Sequence, residues 1–124
     1  MTFIESNQSV LFYNNMSMDI NMIEACRANG VKKVFYSSST CVYSEAYQQE
    51  TENCDLREDM DYPAQPQCEY GWEKLTEERI FLSYAQDFDI PVRIARFHNC
   101  YGEQGCWKGG REKAPAAMAR NISN

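Results

Sequence analysis

Residues 32–43, "KKVFYSSSTCVY", decide the fold class and contain the first candidate for chemistry. The β-branched and aromatic residues of "KKVFYSS" predict a buried β-strand over residues 32–38. Hydroxyl side chains cluster at the end of that strand, and Cys41 follows two residues after Ser39. Because α/β sheets place their chemistry at strand ends, Cys41 is either a small buried thiol or part of a site.

The segments on either side of this strand predict alternating helices and strands. Apolar residues recur at helical spacing from about 9 to 29, and the "ANG" at 28–30 predicts a glycine cap at the helix end. After an acidic loop, the pattern predicts a second helix over 69–87 and a second strand, "IPVRIARF", over 90–97. Pro115, beyond a glycine-rich loop, indicates the start of a third helix. This order predicts an α/β fold, a parallel sheet covered by helices.

The glycines restrict the kind of α/β fold. A dinucleotide-binding sheet opens with a strand, a glycine-rich turn and a helix whose N-terminus holds the pyrophosphate. No such fingerprint is formed by the six glycines, at positions 30, 71, 102, 105, 109 and 110. Either the chain does not have this fold, or its front half is missing. The second helix, described below, favours a missing front half, and so a partial Rossmann-like, doubly wound parallel sheet in which residues 1–124 form one partial domain of a longer chain.

Composition and charge exclude several classes of function. The 124 residues are 44% hydrophobic and 24% charged, as in ordinary globular chains. A net charge of −6 argues against binding to nucleic acid or to an anionic membrane through bulk electrostatics. The apolar run "VLFY" is far too short for a signal peptide or a membrane span. The sequence therefore predicts a cytosolic protein with neither nucleic acid nor membrane as a partner.

The cysteine spacing argues against a disulfide framework and against a metal site. No pair of cysteines has the C-x-x-C spacing, and the chain contains one histidine. That residue, His98, is interpreted as structural. We expect free thiols in a reducing compartment and no metal, with cysteines at positions 26, 41, 54, 68, 100 and 106.

The second predicted helix carries the segment "EYGWEK", in which Tyr70 and Lys74 are four residues apart. This spacing places the two side chains on one face, about one helical turn apart. A tyrosine has an ordinary pKa near 10, and a neighbouring ammonium favours its phenolate form. The spacing also arises by chance. The interpretation of Tyr70 and Lys74 as an acid/base pair is therefore supported only in combination with the hydroxyl cluster at the strand end.

Together, "YSSSTCVY", "YGWEK" and "RFHNCYG" resemble the extended short-chain dehydrogenase/reductases that modify nucleotide sugars. The resemblance implies NAD as cofactor, bound in part by Tyr70 and Lys74. It also implies that Ser39, Tyr70 and Lys74 oxidise a sugar hydroxyl, with the tyrosine taking the proton. Because the glycine fingerprint is absent from this sequence, we expect no measurable NAD binding by the 124-residue chain alone.

Within that family, "WKGGREKAPAA" resembles members that invert C3 and C5 of a GDP-linked hexose after transient oxidation at C4. The C4 ketone acidifies the hydrogens on both neighbouring carbons, and inversion needs a base on one face of the ring and an acid on the other. The resemblance assigns these roles to Cys41 and Lys113. It implies a GDP-sugar substrate and a homodimer of the intact protein, with substrate contacts at Ser39, Thr40, Cys41, Asn99, Glu112, Lys113 and Ala114.

Two alternatives stay open at the level of sequence. The chain is either part of another nucleotide-sugar epimerase or dehydratase, or a truncated and catalytically silent chain that packs against a partner. Asn121 stands where the family carries a basic residue that contacts the substrate. One phosphate contact is therefore in question.

Overall fold

A computed structural model of the chain describes residues 6–48, 56–109 and 112–123. It contains the three predicted helices and the two predicted strands, and so confirms the α/β class. A short helix and two single turns of 3-10 helix, Thr40–Val42 and Glu58–Asp61, were not predicted. The elements in chain order are α1 (Gln8–Ala28), β1 (Val34–Ser39), α2 (Glu45–Gln48), α3 (Glu69–Phe88), β2 (Val92–Phe97) and α4 (Ala114–Ser123).

The two strands pair in parallel, as the alternation of helices and strands predicts. Val34 lies opposite Val92 at one end of the ladder, and Ser39 lies opposite Phe97 at the other. The long helix α3 lies between β1 and β2 in the chain and packs against both strands. The carboxyl ends of both strands therefore meet at one edge of the sheet.

The end of α1 has the predicted glycine cap. Gly30 has a φ of 63°, in the left-handed region that glycine adopts without a steric penalty. The Gly30 N–H donates to the carbonyl of Arg27 at 3.2 Å, and the Val31 N–H donates to the carbonyl of Cys26 at 3.0 Å. These two bonds form a Schellman motif, which ends α1 before β1 begins.

The main core lies between the sheet and the helices α1 and α3. Along β1, burial alternates, so the predicted buried strand is buried on one face in the described part of the chain. Phe35 is 61% exposed and meets Phe97 edge-to-face, with 6.3 Å between ring centres. The reason is that α1 and α3 pack against the opposite face, where the buried cluster consists of Ile23, Val34, Tyr36, Phe81 and Ile90.

The buried face of α3 includes three carboxylates, which helical periodicity did not predict. Glu73, Glu77 and Glu78 are each at most 3% exposed. Buried carboxylates require partners, because leaving a charge in a dry interior is costly. Those partners come from β1, β2 and α1, and they are described with the candidate site below.

Candidate active site at the carboxyl ends of the strands

The predicted site residues lie on segments that follow the two strands. The turn Thr40–Val42 comes directly after Ser39, the last residue of β1. Asn99 follows two residues after Phe97, the last residue of β2. Because Ser39 and Phe97 are opposite each other in a parallel ladder, both segments leave the same edge of the sheet. In open α/β sheets, ligands bind at this edge.

The turn that carries Cys41 is held by its own hydrogen bonds and by packing. The Ser39 hydroxyl accepts a hydrogen bond from the Cys41 N–H at 3.2 Å, and the Tyr43 N–H donates to the Thr40 carbonyl at 3.2 Å. Val42 is fully buried in a second cluster with Tyr43 and Leu75 of α3. Cys41 itself is only partly buried. The backbone of the turn is therefore fixed, while part of its cysteine stays accessible.

Tyr70 and Lys74 lie on the first turns of α3, as their spacing predicts. The ammonium nitrogen of Lys74 lies 6.0 Å from the centre of the Tyr70 ring, within the range of a cation–π contact. The Tyr70 side chain is 37% exposed, whereas the Lys74 side chain is 15% exposed. Tyr70 is therefore partly accessible to solvent, whereas the Lys74 side chain is mostly buried.

Lys74 is held by groups that the sequence analysis did not identify. Its Nζ donates to the phenol oxygen of Tyr36 at 3.0 Å and to the carboxylate of Glu77 at 3.1 Å, and it lies 3.8 Å from the carboxylate of Asp19. The Tyr36 hydroxyl in turn donates to Glu77. Burial, followed by the contact with Glu77, raises the pKa of Tyr36 far above its ordinary value, so this phenol remains neutral.

A second network fixes the end of β1 to α3 and to the loop before it. Arg96 of β2 binds both carboxylate oxygens of Glu78, at 2.9 and 2.6 Å, and the carboxylate of Asp61 at 2.7 Å. The Ser38 hydroxyl donates to the same Glu78. Hydrogen bonding to Glu78 is the main cause that raises the pKa of Arg96, so its guanidinium stays charged. Ser38 directly precedes Ser39, and this network therefore immobilises the strand end.

The predicted residues beyond β2 form a separate group. The Lys113 ammonium donates to the side-chain oxygen of Asn99 at 3.0 Å, and both residues are exposed. Glu112 forms an ion pair with Arg120 of α4, and Arg120 also donates to the Trp107 carbonyl at 3.1 Å. Ala114 is the first residue of α4 and is exposed. Arg120 thereby connects the loop to the helix that follows Lys113.

The structure therefore brings the predicted residues together in two groups. One contains Ser39, Thr40, Cys41, Tyr70 and Lys74, and the other contains Asn99, Glu112, Lys113 and Ala114. None of the contacts described above joins one group to the other. The partners of Lys74 were missed, although Glu77 follows Lys74 at the spacing typical of a helical ion pair.

Three further observations concern the described residues alone. No cluster of three histidine, cysteine, aspartate or glutamate side chains able to hold a metal ion occurs among them. Within the same ranges, no helix has both the length and the apolar composition needed to cross a membrane. Cys54 lies outside the described residues, and free thiols are found at Cys26, Cys41, Cys68, Cys100 and Cys106.

Comparison with protein families gives a match over almost the whole chain. The profile of the NAD dependent epimerase/dehydratase family matches residues 4–124. Over 120 residues the chain is 56% identical to GDP-mannose 3,5-epimerase of Arabidopsis thaliana. It is 55% identical to GDP-mannose 3,5-epimerase 1 of Oryza sativa subsp. indica over 120 residues. Each alignment covers 97% of this chain and 32% of the relative, so the chain spans about a third of their length.

A solved structure shows the same fold at lower identity. The UDP-N-acetylglucosamine 4-epimerase from Methanobrevibacter ruminantium M1, in complex with UDP-N-acetylmuramic acid, superposes with a TM-score of 0.79. The two sequences are 24% identical, and the alignment covers 99% of this chain and 38% of that one. The arrangement of α1, α3 and the parallel strands therefore also occurs in this solved structure.

Proposed function

The chain belongs to the NAD dependent epimerase/dehydratase family, and we propose from this that it is the central segment of a GDP-mannose 3,5-epimerase. The single observation that carries the proposal is its 56% identity to the Arabidopsis enzyme over 97% of the chain. The reaction is inversion of GDP-mannose at C3 and C5 through transient oxidation at C4, an activity of the intact enzyme.

Within this chain, residues of α3 and of the end of β1 act in the oxidation at C4. NAD, when bound, supplies the hydride acceptor and returns the hydride at the end of the reaction. The side chains present fit this cofactor, because Tyr70 is accessible and the Lys74 ammonium lies beneath its ring. Tyr70 accepts the proton of the C4 hydroxyl, with the Lys74 ammonium 6.0 Å from its ring centre. Ser39 orients the same hydroxyl.

The inversions are assigned to Cys41 and Lys113. Once C4 is a ketone, a base removes the proton from a neighbouring carbon and an acid returns a proton from the opposite face. A thiol and an ammonium are groups that can exchange protons in these two roles. The 3.0 Å hydrogen bond from Lys113 to Asn99 supports this assignment, because it ties the ammonium to the segment that follows β2.

Further residues are proposed to contact the GDP-sugar. Thr40 and Cys41 belong to the turn after β1. Asn99, Glu112 and Ala114 belong to the segments after β2. Glu112 forms an ion pair with Arg120, so in this proposal it contacts the substrate while it is bound to Arg120. Asn121 stands where the family carries a basic residue, so one phosphate contact is in question.

A chimera tests the proposed function directly. In the chimera this chain replaces the matching 120 residues of the Arabidopsis enzyme, and conversion of GDP-mannose is followed with added NAD. We expect turnover with deuterium from solvent entering at both C3 and C5. A folded chimera that binds NAD but leaves GDP-mannose unchanged would contradict the proposal.

The chimera tests one of the two alternatives, and the 124-residue chain tests the other. Turnover of a UDP-sugar in place of GDP-mannose would assign the chain to another epimerase, such as the UDP-glucose 4-epimerase of Corynebacterium glutamicum, which is 30% identical over 94 residues. Tight NAD binding by the 124-residue chain alone would contradict our expectation that the pyrophosphate site lies in other parts of the enzyme.

We also propose that the intact enzyme is a cytosolic homodimer. The free thiols support a reducing compartment. Support for a dimer comes from exposed apolar side chains on α1, where Tyr13 is 72% and Met22 is 60% exposed. Light scattering of the chimera tests the oligomeric state. We expect the molar mass of a dimer, and Tyr13→Glu should shift the molar mass toward that of the monomer.

A further inference from the structure

Gly71 lies between Tyr70 and Trp72 in the first turn of α3 and is buried. A Cβ atom added at this position would lie 2.2 Å from the carbonyl oxygen of Cys41 and 2.7 Å from the Cβ of Pro66. Non-bonded atoms reach their optimum at about 3.5–4.0 Å, so these distances are severe overlaps. The helix and the turn after β1 can be this close only because residue 71 has no side chain.

Neither of the two segments can easily move away from the other. The obstructing oxygen belongs to the backbone of a turn that is closed by the Cys41–Ser39 and Tyr43–Thr40 hydrogen bonds. On the other side, the N–H of Gly71 donates to the Cys68 carbonyl at 2.9 Å, which fixes the start of the helix. An alanine would therefore displace the two segments as units, by roughly 1 Å, to restore van der Waals separation.

We propose that Gly71 is a positioning residue, which sets the distance between Tyr70 and Cys41 so that oxidation at C4 and inversion at its neighbours act on one bound sugar. The inference rests on the proposed function. Tyr70 is adjacent to Gly71 in the chain, and Cys41 supplies the oxygen that an added Cβ at Gly71 would meet. A misplacement of about 1 Å in such a site can cost about 10²-fold in rate.

The geometric part of the proposal is tested in the 124-residue chain by NMR. In the unmodified chain, we expect a nuclear Overhauser effect between the α-protons of Gly71 and the β-protons of Pro66, because the Pro66 Cβ lies 2.7 Å from the position of an added Cβ. Gly71→Ala should shift the amide resonances of Thr40, Cys41 and Val42. Gly102→Ala is the matched control, because an added Cβ there would have nothing within 4 Å. Absence of the Overhauser effect would overturn the proposal whether or not the variant folds.

The functional part is tested in the chimera. Gly71→Ala should lower kcat for GDP-mannose by about 10²-fold, with KM and NAD content close to those of the parent. Gly102→Ala should leave kcat unchanged. A merely structural glycine would lower the melting temperature and leave kcat per folded enzyme intact, and that result would overturn the inference. An inactive parent chimera would instead contradict the proposed function, and the NMR measurement would then decide on Gly71 alone.

Discussion

The Nζ atom of Lys74 donates a hydrogen bond of 3.0 Å to the phenol oxygen of Tyr36 on β1. The same phenol donates to Glu77, whose carboxylate also accepts from Lys74 at 3.1 Å. Lys74 is therefore anchored to the strand and to its own helix, while its charge remains within 6.0 Å of the Tyr70 ring centre. The buried carboxylate of Glu77 should affect how the free energy of unfolding depends on pH.

Glu77→Gln tests that pH dependence. Burial raises the pKa of Glu77 above its ordinary value, so the folded chain binds this proton more tightly than the unfolded chain does. The contribution of Glu77 to the free energy of unfolding should therefore fall as pH rises from about 4.3, the ordinary glutamate value, through the raised pKa. Urea unfolding between pH 4 and 8 should show stability declining in the parent relative to Glu77→Gln.

Glu24→Gln is the control for the sign of this effect. The hydrogen bond from Arg27 lowers the pKa of Glu24, so any contribution of this exposed residue to stability is present at higher pH and is lost on acidification. A pH dependence of the same sign in both variants would contradict the assignment to burial of Glu77.

Arg96→Met should destabilise the chain strongly. The change leaves Glu78, whose side chain is 4% exposed, without its ion-pair partner. Loss of one member of a buried ion pair typically costs about 3–5 kcal/mol, because an uncompensated charge remains. Chemical unfolding followed by circular dichroism measures the loss. Arg93→Met, on the exposed side of the same strand, is the matched control and should change stability little. Equal effects of the two variants would mean that the Arg96 network contributes no specific stability.

Tyr70→Phe in the chimera should abolish oxidation at C4 and both inversions with it. The ring and its packing remain, and only the oxygen that accepts the C4 hydroxyl proton is removed. Loss of one general base typically costs about 10²- to 10⁴-fold in rate. Turnover of GDP-mannose is the measurement, and Tyr62→Phe, at a half-exposed position on the loop before α3, is the control. Near-normal turnover in Tyr70→Phe would refute its role.

Cys41→Ser should separate oxidation from inversion. Ser39, Tyr70 and Lys74 carry the step at C4, so hydride transfer should persist in the chimera. Exchange of the C3 and C5 hydrogens with solvent deuterium should collapse, because a serine hydroxyl is far too weak an acid/base to replace a thiol near neutrality. Mass spectrometry of recovered GDP-mannose measures the exchange, and Lys113→Ala should impair it as well. Retained exchange at both carbons would make Cys41 an inert, partly buried thiol.

Local sequence patterns determined the elements and their order. Helical spacing and the "ANG" cap predicted a helix over 9–29, and the structure has Gln8–Ala28. The parallel pairing followed from the alternation of helices and strands, because a helical crossover returns the chain in the same direction. These features depend on residues close together in the sequence. The resemblance of short motifs added the candidate site residues, which stay predictions.

The tertiary structure alone decided which polar groups are buried and what they bind. Glu77 meets Tyr36 across 41 sequence positions, and Arg96 meets Asp61 across 35. Periodicity in the sequence cannot predict such pairs. A glutamate on a helix is expected to be exposed to solvent, and only the folded structure shows that a strand supplies its partner. The need for glycine at position 71 is likewise set by the Cys41 carbonyl, an atom that only folding brings next to the helix.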